Sequence, residues 1–140
     1  MMFDLEHVQS FLATQPDITV WHQSKATPCE LLDDLLPRLS HASLAPWLIP
    51  SFSTRPLTVI STTLASKSEA TEKSFMDTLT LYGRTLTTLT LDRHTSGDSM
   101  KLGDFVVYLA HSLPRLERLD LWDCGGRVGV LRPFICHFDR

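Results

Sequence analysis

The sequence of 140 residues predicts a single domain of the α/β class, with about five short parallel strands and with helices or loops on their outer face. Leucine is the most frequent residue of the chain, with 23 copies. Short segments in which apolar and polar residues alternate recur along the sequence, as expected for strands with one buried face. Several of the segments between them have the apolar spacing of helices, the usual connections between parallel strands.

The clearest repeat lies near the C-terminus, where the segment from Leu116 to Cys124 reads L-x-x-L-x-L-x-x-C. This spacing is the strand half of a leucine-rich repeat. The segment from Leu86 to His94 has the same leucine spacing, with His94 in the place of Cys124. The spacing between repeats varies, so we predict an irregular leucine-rich-repeat solenoid. Its candidate strands start at Ile18, Ala42, Leu57, Leu89 and Leu119.

Helices are expected in the connections that are long enough to hold them. Residues 4–12 and 29–36 each place their apolar side chains on one helical face. Residues 66–81 predict a further helix, which Ser66 is placed to cap and Gly83 to end.

Residues 103–111 favour a helix with Asp98 or Ser99 as its cap, although the Val-Val-Tyr centre leaves a strand open. Residues 44–57 contain three prolines, so we expect a loop or a short turn there in place of a full helix. Residues 125–140 leave the repeat pattern, and they are expected either to cap the last repeat or to form a frayed end.

Composition and charge exclude several classes of function. The formal net charge is −3, and neither half of the chain carries the basic patch of a nucleic-acid-binding protein. The longest apolar run falls below the ~18 residues that a membrane-spanning helix needs. The N-terminus does not have the pattern of a signal peptide, and three scattered cysteines do not suggest a disulfide framework. We therefore expect an intracellular protein, cytoplasmic or nuclear.

The sequence does not predict catalysis, and we expect no cofactor and no metal site. Cys124 occupies the Asn/Cys position of the repeat, where its side chain would satisfy backbone groups of the turn. Cys29 begins a predicted helix, and neither cysteine has a base at a recognisable spacing. Cys136 and His137 are adjacent and do not have the spacing of a zinc site. A small cysteine-dependent hydrolase or transferase, using Cys29 or Cys124 with a histidine, is the alternative in another function class.

A candidate surface for binding a protein partner follows from the alternation along the strands. It places Trp21 on the solvent side of the first strand, Asp92 on that of the fourth, and Arg118, Asp120 and Trp122 on that of the fifth. Tryptophan and arginine are enriched among the residues that dominate binding energy at interfaces. At ~4.8 Å between strands, the two tryptophans would stand roughly 19 Å apart. The alternative is that each tryptophan packs against a neighbouring loop or a missing repeat.

Five segments of the chain resemble the variable regions of basidiomycete (fungal) F-box-like proteins. Residues 11–19 are similar to the F-L-x-x-Q-P-x-I opening of those regions, and residues 36–39 with 55–60 are similar to their LPxL…RPL passage. Residues 82–89 and 113–119 are similar to their later repeats. The resemblance spans roughly residues 11–123.

The resemblance implies that the chain recognises a protein for ubiquitination, as the substrate-recruiting part of a ubiquitin-ligase receptor. In that family an N-terminal F-box helix bundle docks on a Skp-type adaptor. The present sequence begins about ten residues before its first repeat, which leaves no room for an F-box. A Skp-type adaptor is therefore not expected as a partner, and the chain is either a stand-alone recognition piece or a non-functional truncated fragment.

Overall fold

A computed structural model describes residues 5–23, 34–123 and 126–131. The described residues form an α/β fold with one open sheet, in which six strands follow each other in chain order. The first five strands are parallel, as the leucine pattern predicts, and the sixth runs antiparallel to the fifth. The strands are β1 (Val20–His22), β2 (His41–Ser43), β3 (Val59–Ser68), β4 (Thr88–Asp98), β5 (Arg118–Asp123) and β6 (Gly126–Leu131).

Three α-helices lie in the described part of the chain: α1 (Leu5–Ala13), α2 (Glu69–Leu79) and α3 (Leu102–Ser112). Helix α2 connects β3 to β4, and α3 connects β4 to β5. Residues 29–33 of the helix expected at 29–36 lie outside the described residues, and residues 34–36 are not helical. None of the helices within the described ranges is long and apolar enough to span a membrane.

The capping residues of α2 and α3 differ from the predicted ones. Ser68 caps α2, since its hydroxyl accepts a hydrogen bond from the Thr71 backbone N–H at 3.2 Å. Ser66 does not cap this helix because β3 stays paired with β4 up to Ser66 and beyond. Helix α3 starts after Lys101 with no side-chain cap, so the predictions of Asp98 or Ser99 as its cap are wrong. Both caps were misplaced because β3 and β4 extend beyond their leucines.

The C-terminal end of α2 and the connection from β2 to β3 agree with the predictions. Gly83 ends the single 3₁₀ turn (Thr80–Tyr82) that follows α2. The proline-containing connection is a short 3₁₀ helix, Pro46–Phe52, in place of a full α-helix. It buries Leu48, Ile49 and Phe52 against the core.

The leucines of the repeats form one continuous core, as the strand alternation predicts. Leu89 and Leu119 lie in register with Ile60 and Ala42 on the core side of the sheet. All the repeat leucines are fully buried: Leu86, Leu89, Leu91, Leu116, Leu119 and Leu121. On the other side of the sheet, the polar residues of β4 and β5 are only partly buried or exposed.

Candidate functional site

The side of β4 and β5 opposite the leucine core, here called the open face, carries four of the five predicted binding residues. It consists of Thr88, Thr90 and Asp92 on β4 and of Arg118, Asp120 and Trp122 on β5. The register pairs Asp92 with Trp122 and places Asp120 opposite Thr90. Paired residues on adjacent strands have their Cβ atoms about 4.5–5.5 Å apart. The structure therefore brings Asp92, Arg118, Asp120 and Trp122 into one patch.

The patch combines an exposed indole with carboxylates. The Trp122 residue is 39% exposed. Asp92 receives a contact from the His94 ring, with 3.1 Å between Nε2 and Oδ2. The second carboxylate oxygen of Asp92, Oδ1, is buried and has no hydrogen-bond partner among the described residues. The patch thus places a partly exposed indole beside the Asp92 and Asp120 carboxylates, with Arg118 two strand positions before Asp120.

Trp21 does not belong to this patch, so its predicted orientation is wrong. It pairs with Ala42, which in turn pairs with Ile60 on the core side of the sheet. The indole packs partly buried against the core, and its Nε1 donates to Gln23 Oε1 at 3.3 Å. Strict alternation from Ile18 fails because residues 18 and 19 precede the strand and are not in it. Ile18 and Trp21 can therefore both contact the core.

Directly behind the Asp92–Trp122 pair lies a buried ionic cluster that the sequence reasoning missed. Arg93 is 1% exposed, and its Nη2 lies 2.6 Å from Oε1 of Glu72, which is fully buried. Arg93 Nη1 lies 3.3 Å from Oδ1 of Asp123, the residue after Trp122. The Arg93 guanidinium also stacks over the ring of Phe105, 4.5 Å from its centroid.

The cluster joins both connecting helices to the strand ends. Arg93 Nη2 donates to the Met100 carbonyl, and the Met100 N–H donates to Glu72 Oε2 at 2.7 Å. Glu72 is on α2, Phe105 is on α3, and Met100 lies just before α3. A buried charge persists only when it is paired and hydrogen-bonded. The cluster therefore fixes the end of β5 that carries Trp122.

A signal for this cluster is present in the sequence. Arg93 continues the alternation of Leu89 and Leu91, which puts a charged residue at a core position. A buried arginine needs a carboxylate partner. Glu72 lies on the same face of the predicted helix as the apolar residues Phe75 and Met76. The pairing of these two positions could not be deduced from their spacing, because it depends on how α2 packs on the sheet.

The described residues give no support to a metal site and do not include the cysteines. No group of three potential metal ligands occurs in the described ranges. Cys29, Cys124 and Cys136 lie outside those ranges, so the cysteine-dependent alternative has no geometry to assess. Comparison with family models, curated proteins and solved structures finds no match to the chain.

Proposed function

We propose that the protein recognises a protein partner through the open face, without catalysis. The observation that supports this function is the exposed Trp122, which lies among charged side chains and directly precedes Asp123 of the buried cluster. Large aromatic and arginine side chains dominate the binding energy of protein interfaces. A rigid backing lowers the entropy that such residues lose when a partner binds.

The chemistry of the patch suggests what the partner presents. The negative charges of Asp92 and Asp120 favour a basic group on the partner. Trp122 favours an apolar side chain, or a cation that stacks on the indole. A partner segment with a basic residue beside an apolar one satisfies both requirements.

We further propose that the sheet is an irregular leucine-rich-repeat solenoid and that the chain is a substrate-recruiting part of an F-box-like receptor. Five parallel strands in chain order support the solenoid, because stacked repeats place each strand beside its sequence neighbour. The receptor role rests on the resemblance of residues 11–123 to those proteins.

The test is affinity capture with three purified chains: the natural sequence, Trp122→Ala and Phe11→Ala. Phe11 is a matched control because it is an aromatic residue on α1 that is 60% exposed. We expect one partner to bind the natural chain and Phe11→Ala. Trp122→Ala should weaken its binding by about 2 kcal/mol or more with little change in melting temperature. Unchanged capture by Trp122→Ala would contradict the proposal, as would a large fall in its melting temperature.

A further inference from the structure

We propose that a cleft beside β3 binds an extended, uncharged peptide, which adds a strand to the sheet there. This surface lies at the free edge of β3, two strands away from Trp122, and the inference does not depend on the role proposed for the open face. Its basis is a length mismatch between neighbouring strands. β2 contains three residues, whereas β3 contains ten.

The mismatch leaves part of the β3 backbone unpaired within the described residues. Pairing between β2 and β3 ends at Ser61, whose carbonyl accepts the Leu44 N–H at 3.0 Å. Val59 also bonds toward β2, through its N–H to the Ser40 carbonyl at 3.1 Å. In a parallel strand alternate residues direct both backbone groups to the same side. Thr63 and Ala65 therefore point their N–H and C=O groups in the direction of β2, where no described strand continues.

Prolines explain why β2 stops. Ala45 is extended, as the residue before a proline prefers to be, and Pro46 starts the 3₁₀ helix. Pro46 has no N–H to contribute to a strand ladder. The chain turns away and leaves a cleft of about 610 Å³ between the 3₁₀ helix and β3. This volume lies within the range of roughly 300–1,000 Å³ that is usual for binding sites.

The walls of the cleft indicate the chemistry of its occupant. Trp47, which is 62% exposed, lines one side together with Pro46. Thr63 and Ala65 line the other side. Among the described residues that line the cleft none is charged, so a charged ligand would lose its hydration without gaining a partner. Unpaired backbone donors and acceptors are matched by another extended backbone, as in strand addition.

The experiment begins with hydrogen exchange of the free chain, resolved by residue. The Thr63 and Ala65 amide hydrogens should exchange fast, whereas the Leu64 amide, which points toward β4, should exchange slowly. Slow exchange at Thr63 and Ala65 would overturn the proposal, because it would show that another segment of the same chain or a second copy already pairs with this edge.

The second step selects binders from a phage-displayed library of random linear peptides. We expect enriched sequences to be uncharged, with β-branched or aromatic residues at alternate positions. A synthetic copy of the best sequence should protect the Thr63 and Ala65 amides when it binds. Failure to enrich any peptide above the library background would overturn the proposal.

Variants then locate the bound peptide. Ala65→Pro removes one donor from the open edge, where proline is tolerated, and should weaken binding at least about tenfold. Trp47→Ala removes an exposed side chain and should weaken binding without affecting folding. Trp122→Ala, two strands away from this edge, should bind the peptide normally. If Ala65→Pro does not fold, the affinity of Trp47→Ala and the protection of the Thr63 and Ala65 amides still test where the peptide binds. Equal affinity of all folded variants would contradict the assignment.

Discussion

Strands β1 and β2 contain three residues each, whereas β3 and β4 contain ten and eleven. A proline-containing 3₁₀ helix joins β2 to β3, and α2 joins β3 to β4. The ion pairs near the short and the long strands differ in their burial. Arg38 and Asp17 form an exposed pair near β1, whereas Arg93 and Glu72 are buried behind β4. A helical connection thus encloses a charged cluster at the strand ends, and a proline-containing one leaves a strand edge open.

The largest expected effect comes from breaking the buried pair. Arg93→Ala leaves Glu72 buried without its cation, so we expect a loss of about 3–5 kcal/mol of unfolding free energy. Arg38→Ala is the matched control, because it breaks a pair of similar length in solvent and should cost at most about 1 kcal/mol. Urea denaturation of both variants measures the difference. Equal losses of unfolding free energy would show that the buried pair stabilises the fold no more than the exposed one.

The next effect tests the core row of the long-strand region. Leu119→Ala removes a fully buried side chain and should cost ~2–5 kcal/mol. Val107 on α3 is 45% exposed, so Val107→Ala should change stability far less. A loss below half a kilocalorie for Leu119→Ala would mean that the register of β5 is wrong.

A smaller effect concerns the contact between the two regions. The buried Tyr82 hydroxyl donates to the Ile49 carbonyl in the 3₁₀ helix. Tyr82→Phe removes this donor and should cost about 1–3 kcal/mol, since the carbonyl stays buried.

Burial raises the pKa of Tyr82 above its usual value of 10.0. The folded state therefore keeps a proton that the unfolded state releases, and stability should fall as the pH rises above 10.0. Denaturation of the natural chain and of Tyr82→Phe across this range measures the contribution. A parallel pH dependence of the two chains would contradict it.

The smallest effect is a gain. The Thr62 hydroxyl is buried and has no hydrogen-bond partner among the described residues. Thr62→Val keeps the shape of the side chain and removes the unsatisfied group, so stability should rise by up to about 1 kcal/mol. A clear loss in thermal denaturation would show that the hydroxyl has a partner in solution.

Regular and irregular parts of the strands also differ in how well the sequence predicts them. The spacing of Leu86, Leu89 and Leu91 predicts β4 because each leucine needs a buried position at the strand period. The extension of β3 to Ser68 was missed, because its polar residues are held by pairing with β4 and not by their own apolar pattern. The sequence places Trp21 on the wrong side of the sheet because irregular residues before β1 break the alternation.

The sequence predicts only the part of the candidate site that lies on a regular strand. Arg118, Asp120 and Trp122 follow one regular strand, so alternation alone places them on the open face. The Arg93–Glu72 pair and the cleft beside Trp47 depend on contacts between elements that are distant in the sequence.

Native-state hydrogen exchange resolved by residue tests most directly whether β3 to β5 form a rigid support behind the open face. The amides of Leu89 and Leu91 should exchange only through global unfolding, so their opening free energies should equal the stability from denaturation. The amides of His41 and Leu44, bonded at the short strands, should open with a smaller free energy. Equal opening free energies at all four amides, or lower values at Leu89 and Leu91, would contradict a rigid β3–β5 support.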